Sequence, residues 1–294
     1  MENRTSFLGA SEVSAVVGIN PFMTPLKLWA IKTGQVQPDN LDDVEAVEWG
    51  SRLERVVSAK FMDKHGVKLI ARKSRYIHPI HEWLSCELDN IVAGTDELVE
   101  IKTVNAWAWK AWENPDQLPA YVITQVMMQL GLSKRKVGWV ACLCGGQKYI
   151  EKKIVFDQEF YDNLVDQCVT FWRMVESKTP PAAIAGDSGT LLALYPKSNE
   201  DLALVEDMNT AIARRQEIAG QIGALKLELD EVEVKIKAVI GDNLGIKTSQ
   251  YQVTWKEQVR AVVDVDAMKL DGVYEGYTKE SRTRVLRISL NKGK

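Results

Sequence analysis

Several things are scarce in this sequence. No apolar run approaches the roughly 20 residues that a bilayer span requires, and Met1-Glu2-Asn3-Arg4 lacks the apolar core of a secretory signal. A cytoplasmic location without membrane attachment is therefore expected. There are four cysteines, Cys86, Cys142, Cys144 and Cys168, and their spacing matches no zinc or iron–sulfur pattern. Reduced, buried thiols are expected. Histidine is nearly absent at three residues; His78 and His81 flank Pro79 in an expected loop, and no ligand role is assigned to them. An excess of positive charge is missing too. The net charge is −3, so any nucleic-acid surface has to be a local patch. What is abundant is core-forming material: 46% hydrophobic residues and nine tryptophans in 294 residues, enough for one sizeable core with an appendage or for two small domains.

The stretch Ser85 to Lys102 carries the most chemistry. Two apolar runs, Ile91-Val92 and Leu98 to Ile101, flank Ala93-Gly94-Thr95-Asp96, a turn-forming cluster, and predict a hairpin. Glu100 and Lys102 stand two apart on the second strand and leave one face, with Ile101 buried on the other. Asp89, at the mouth of the first strand, can lie opposite them. Two carboxylates and the Ile101 carbonyl would form the oxygen ligand set that Mg²⁺ takes, and an ammonium beside them can orient or deprotonate a water. That is equipment for metal-assisted phosphodiester hydrolysis. The same pattern also fits a solvated hairpin edge in a chain that is 26% charged.

Around this hairpin the pattern alternates between helix and strand. Phe7 to Gly18 reads as a loop and a short helix, with Ser11 as N-cap; the hydroxyl there fits either capping or a phosphate site. Thr24-Pro25 starts a second helix. Val44 to His65 is helical, ended by Gly66, with Glu54 bordering its apolar stripe. Trp107, Trp109 and Trp112 form a cluster that suits a packed lid or base stacking. Pro119 to Leu132 is a helix stopped at Gly131, with Gln125 and Gln129 one turn apart. Lys136–Leu143 and Lys148–Ile154 form a hairpin, and Asp157 to Lys178 a long helix. The element order predicts an α/β core with a mixed central sheet flanked by helices over 1–178, then a linker over 179–198.

The region 199–294 predicts a long helix and a small β tail. Leu204, Met208, Ala211, Arg215, Ile218, Ile222, Leu225, Leu229, Val232, Ile236 and Val239 follow alternating steps of four and three, a heptad seam that Arg215 alone interrupts. A helix from Asn199 to Gly241 would be on the order of 60 Å long. Such a seam calls for a covering surface, in this chain or another. Two strands are expected in the tail, at 251–255 and 285–288. Lys279, Arg282, Arg284 and Arg287 cluster near its end, either as solvated charge or as a contact for nucleic acid or a partner.

Taken in order, these segments resemble the lambda-exonuclease or YqaJ-type viral recombinase family, within the PD-(D/E)xK nuclease group. The resemblance covers roughly residues 4–155. It rests on Gly9-Ala10-Ser11-Glu12-Val13, Asn20-Pro21-Phe22 with Thr24-Pro25-Leu26 and Leu28-Trp29, Glu48-Trp49-Gly50 with Leu53-Glu54, Leu88-Asp89-Asn90-Ile91, Glu100-Ile101-Lys102, and Gln125-Val126-Met127-Met128-Gln129-Leu130. Val253-Thr254-Trp255-Lys256 and Ser281-Arg282-Thr283-Arg284 resemble tails of phage members. The resemblance implies a restriction-endonuclease-like core in which Asp89 and Glu100 bind Mg²⁺ (Mn²⁺ able to substitute) and Lys102 handles the attacking water. Glu54 and Gln125 would complete the catalytic set, and Arg4 and Ser11 would grip the 5′-phosphate of the degraded strand. Trp107 and Trp109 are candidate DNA contacts. Glu87 departs from the family, which often has a small hydroxyl residue there, and Asn90 stands where glycine is usual. The implied activity is 5′→3′ digestion of double-stranded DNA ends, leaving 3′ single strands for a single-strand annealing protein. A homo-oligomer such as a ring would supply processivity, in the bacterial host cytoplasm if a phage encodes the chain. An endonuclease on the same fold, or a non-catalytic DNA-binding scaffold built on the long helix, are the competing readings.

Overall fold

The computed structural model describes residues 4–41, 43–108, 112, 118–199, 201–205, 207–279 and 284–289, with backbone alone for Arg4, Arg72 and Lys73. The chain forms two compact units, Met1–Pro196 and Lys197–Lys294.

The first unit begins with a 3₁₀ turn, Arg4–Ser6, and β1 (Leu8–Gly9). A second 3₁₀ turn, Ala10–Glu12, leads into α1 (Val13–Val16). Ser11 does not cap it: the Glu12 carboxylate folds back to accept from Gly9 N at 2.8 Å, and the Ser11 side chain is left exposed. A carboxylate one turn in satisfies the free N–H more strongly than a hydroxyl does. In α2 (Pro25–Lys32), Thr24 is the cap, its Oγ1 accepting from Lys27 N at 3.1 Å.

Then come α3 (Glu45–His65), β2 (Leu69–Ile77), β3 (Leu84–Val92) and β4 (Glu97–Val104). Gly66 closes α3 at φ +65°, and Gly94 makes the β3–β4 turn at φ +79°, both left-handed positions that suit glycine. After α4 (Ala120–Ser133) follow β5 (Val137–Cys144), β6 (Lys148–Val155), α5 (Gln158–Glu176) and α6 (Ser188–Leu194). Gly131 lies inside α4 and does not end it. A Cβ there would come within 2.1 Å of the Tyr161 ring, so the glycine admits α5 at close range. The helix ends at Ser133, with Lys134 left-handed at φ 57°.

The sheet runs β1-β3-β4-β5-β6, with β2 on the other edge of β3. β1 is parallel to β3, β3 antiparallel to β4, β4 parallel to β5 and β5 antiparallel to β6. This is the mixed sheet expected from the element order. Because β2 covers one edge of β3 from Ile77↔Ser85 to Leu69↔Val92, β1 and β4 must share the other. β1 takes Leu84 and Ser85, and β4 takes Asn90 and Ile91. Between them Cys86 to Asp89 have no strand partner on that edge.

Helices cover both faces. Val57 and Phe61 of α3 bury Val92, Val99, Ile101 and Ala141 on one side. On the other, α1, α2, α4 and α5 enclose the larger core, with Leu28, Met128, Leu130 and Leu164 fully buried. All four cysteines are free and buried. Within the stretch 179–198, α6 packs back on α2. The buried Asp187 carboxylate accepts from the Thr24 hydroxyl and, at 2.8 Å, from Ile184 N.

The second unit holds α7 (Asn209–Ile240), the hairpin β7 (Gly245–Lys247) with β8 (Gln252–Thr254), α8 (Val265–Leu270) and a 3₁₀ turn, Tyr274–Tyr277. The long helix starts ten residues later than Asn199 would have it, and Leu202 and Leu204 are exposed at 99% and 90% in irregular chain. With no apolar surface to bury them, they add nothing to helix formation. The strand expected at 285–288 is absent; residues 284–289 are irregular. Arg282 lies outside the described residues. No helix among the described residues is long and apolar enough to cross a membrane.

Candidate active site

The open stretch of β3 is where the polar groups gather. Strand alternation puts Leu98, Glu100 and Lys102 on the α4 face of β4 while Val99 and Ile101 pack against α3. Glu100 is 3% exposed, a buried carboxylate that needs donors. It has three. Lys102 Nζ and Gln125 Nε2 both reach Oε1 at 2.6 Å, and Gln129 Nε2 reaches Oε2 at 2.7 Å. Gln125 Oε1 accepts from Lys102 Nζ at 3.0 Å, closing a triangle of ammonium, amide and carboxylate. Gln129 Nε2 also donates to the Glu87 carbonyl at 3.1 Å and so ties α4 to the open part of β3.

Asp89 enters from the gap. Its Oδ2 accepts from Ile101 N at 2.8 Å, taking the place of the ladder partner that β3 does not supply. A strand residue aims N–H and C=O to the same side, so the Ile101 carbonyl faces the gap as well. Burial raises the Asp89 carboxyl well above the ordinary carboxylate range, and the Glu100 charge raises it further. The Ile101 N–H and Lys102 pull it down, and half-buried Glu54 pushes it up again. At Lys102 burial works against the charge, but Glu100 outweighs it and holds the pKa above the ordinary lysine value. Lys102 is thus held as an ammonium that donates to Glu100 and Gln125.

Two half-buried to buried carboxylates that repel one another form a place for a hard cation. Asp89 Oδ2 is engaged, and three of the roughly four lone-pair directions of Glu100 are used. That leaves oxygen on both carboxylates, together with the Ile101 carbonyl. Mg²⁺ typically takes one or two carboxylates and keeps several waters, so this donor set fits it. Among the described residues no group of three or more His, Cys, Asp or Glu side chains forms a denser metal cage.

Arg4 and Ser11 belong to the segment on either side of β1. Ser11 is exposed in the turn after β1, whose Gly9 pairs with Ser85 at the far end of the gap. Arg4 has its backbone in the preceding 3₁₀ turn. That whole segment is fastened by Lys32, whose Nζ reaches Phe7 O at 2.7 Å and both Glu12 oxygens at 2.8–2.9 Å. Trp107 is 92% exposed, Trp112 is core at 2%, and Trp109 lies outside the described residues. Two residues join the cluster that sequence reasoning did not put there. Gln129 was visible only as the residue one turn beyond Gln125, and Tyr121 acts on Lys102 from the start of α4.

Comparison with known proteins bears on which family built this site. The YqaJ-like viral recombinase domain matches residues 1–136. YqaJ of Bacillus subtilis (strain 168), itself uncharacterized, is 30% identical over 96% of this chain and 90% of its own length. The chain belongs to the YqaJ-like viral recombinase family. Among solved structures, an alkaline exonuclease (LHK-Exo) from Laribacter hongkongensis has the same fold. Its TM-score is 0.50 at 18% identity, over 60% of this chain and 90% of that one. A phage-related exonuclease from Haemophilus somnus 129PT aligns at TM-score 0.46 and 12% identity, over 58% and 94%. The YqaJ-like domain match ends at residue 136, in the turn before β5, so it contains Asp89, Glu100, Lys102, Gln125 and Gln129.

Proposed function

We propose that this YqaJ-family chain is a Mg²⁺-dependent 5′→3′ exonuclease acting on double-stranded DNA ends. The observation that carries the reading is the buried Glu100, shared by Lys102, Gln125 and Gln129 and facing a second carboxylate, Asp89, across an opened strand edge. Burial alone explains the donors around Glu100, but it does not explain a second carboxylate set beside it, and a buried like-charge pair is a mark of functional sites.

Asp89, Glu100 and the Ile101 carbonyl would hold Mg²⁺, with Mn²⁺ able to substitute. When bound, the metal supplies Lewis acidity to a phosphodiester and lowers the pKa of a coordinated water. The chain's own residues do the rest. Lys102 stays charged beside Glu100 and donates toward the attacking water or a phosphoryl oxygen, which places positive charge where negative charge develops. Gln125 fixes the ammonium from one side, and Gln129 fixes the carboxylate from the other. Glu54 adds negative charge near Asp89, which attracts a cation to that place. The two turns that hold Arg4 and Ser11, on either side of β1, would grip a 5′-phosphate, with exposed Glu87 weakening that grip by repulsion. The product would be a 3′ single strand for an annealing protein, made processively by a homo-oligomer, a ring being one such form.

A linear duplex with 5′-phosphate ends tests this. Digestion is expected to proceed from ends, to stop on chelation of the divalent ion, and to fall about 10²- to 10³-fold in Lys102→Ala. Activity that survives Lys102→Ala or chelation removes this mechanism. Cutting of a covalently closed circle would convert the reading to an endonuclease. Equal rates on 5′-phosphate and 5′-hydroxyl ends would remove the phosphate grip and leave the metal site standing.

A further inference from the structure

The helix α7 leaves its seam bare. Ile218 is 40% exposed, Ile222 49%, Leu225 63%, Leu229 59%, Val232 48% and Val239 69%. These residues follow heptad spacing, so they lie in one stripe along the helix. Lys226, Glu228, Glu233 and Lys235 flank that stripe, in the positions that face a partner helix in a coiled coil. Glu233 pairs with Lys237 on its own helix at 2.9 Å; the other three make no ion pair among the described residues.

We propose that α7 is the interface with a second copy of this chain, and that the two helices run antiparallel. The charges select both the direction and the register. In a parallel, in-register pair, Glu228 would meet the partner's Glu233, a like-charge contact made twice by symmetry. An antiparallel pair with Leu225 opposite the partner's Leu229 sets Glu228 on the partner's Glu228 and Lys226 on the partner's Lys226, and buries Arg215 against the partner's Val239. One heptad layer further along, with Leu229 opposite the partner's Val232, every clash is removed. The core then holds Ile222 against the partner's Val239, Leu225 against the partner's Ile236, and Leu229 against the partner's Val232. Glu228 lies beside the partner's Lys235, and Lys226 beside the partner's Glu233, each twice. Arg215 falls outside the overlap, because its counterpart would lie beyond the helix end at Ile240. The residue that breaks the seam is thus the one this register leaves in water. The paired segment, Ile222 to Val239, is about 27 Å long at 1.5 Å per residue.

Cysteine crosslinking of the full chain under mild oxidation reads the geometry directly. All four native cysteines are buried, which keeps the background low. The I222C/V239C double variant is expected to form a covalent dimer, and I222C and V239C singly are not. Crosslinking in the single variants means a parallel pair and overturns the proposal; no crosslink in any variant means that the seam is not a contact between copies. Sedimentation equilibrium adds a second arm. K226E and E233K should each weaken self-association about tenfold, through two lost attractions and two new repulsions per dimer. The K226E/E233K double variant should recover it. E233K tightening association, as a parallel pair would have it, sinks the assignment. Neither arm depends on nuclease activity, so failure here and failure of the metal site are separable.

Discussion

Lys32 has its ammonium enclosed, the side chain 0% exposed, with Glu12 and the Phe7 carbonyl as partners. Removing one member of a buried pair strands the other's charge, at a cost of about 3–5 kcal/mol. Lys32→Met is therefore expected to lower the unfolding free energy by about that amount in denaturant titration. A loss under about 1 kcal/mol would mean that Glu12 finds another donor. The pair matters beyond stability, because it fastens the segment from Phe7 to Glu12, which carries Ser11 and β1 beside β3. Nothing in the sequence marks it: Glu12, in the turn before α1, and Lys32, at the end of α2, are 20 residues apart and meet only in the folded chain. The Glu100–Lys102 relation is different. Two residues on one strand share a face by alternation alone, so that part of the cluster was legible before any tertiary structure.

Among the elements, α4 was visible from its apolar period, but its end was misjudged at Gly131. Glycine usually marks a helix terminus; here it marks a close approach. Tyr161 of α5 rests where a side chain would be, and Gly131→Ala puts a methyl within 2.1–2.6 Å of that ring. We expect Gly131→Ala to destabilise by about 1–3 kcal/mol, and Tyr161→Leu in the same chain to recover part of the loss. Full stability in Gly131→Ala alone would show that α5 moves aside freely. The same packing explains why Gln129 escaped notice as a site residue. Its role depends on how close α4 lies to Glu100, a distance fixed by α5 and the sheet and not by any local pattern. In the second unit the sequence over-extended α7 and supplied a tail strand that is not there, because heptad spacing and alternation record a tendency while burial decides. Leu202, Leu204, Val285 and Leu286 are all more than two-thirds exposed.

For the whole molecule, the repulsion between Asp89 and Glu100 would link folding to cation binding under the proposed function. An ion that binds the native state alone adds about 2.7 kcal/mol when present at 100-fold over its Kd, or roughly 5–10 °C in Tm for a unit of this size. Mg²⁺ is expected to raise the Tm of the chelator-treated protein by such an amount, and Asp89→Asn to abolish the rise. An unchanged shift in Asp89→Asn would place the ion elsewhere. The gap in β3 has a metrical side as well. Gly9 is anchored at Ser85 and the carboxylates gather at Asp89, so about 13 Å of rigid strand separates the two. β3 acts as a ruler, and any polymer that touches both marks must bring them the same distance apart along its own backbone.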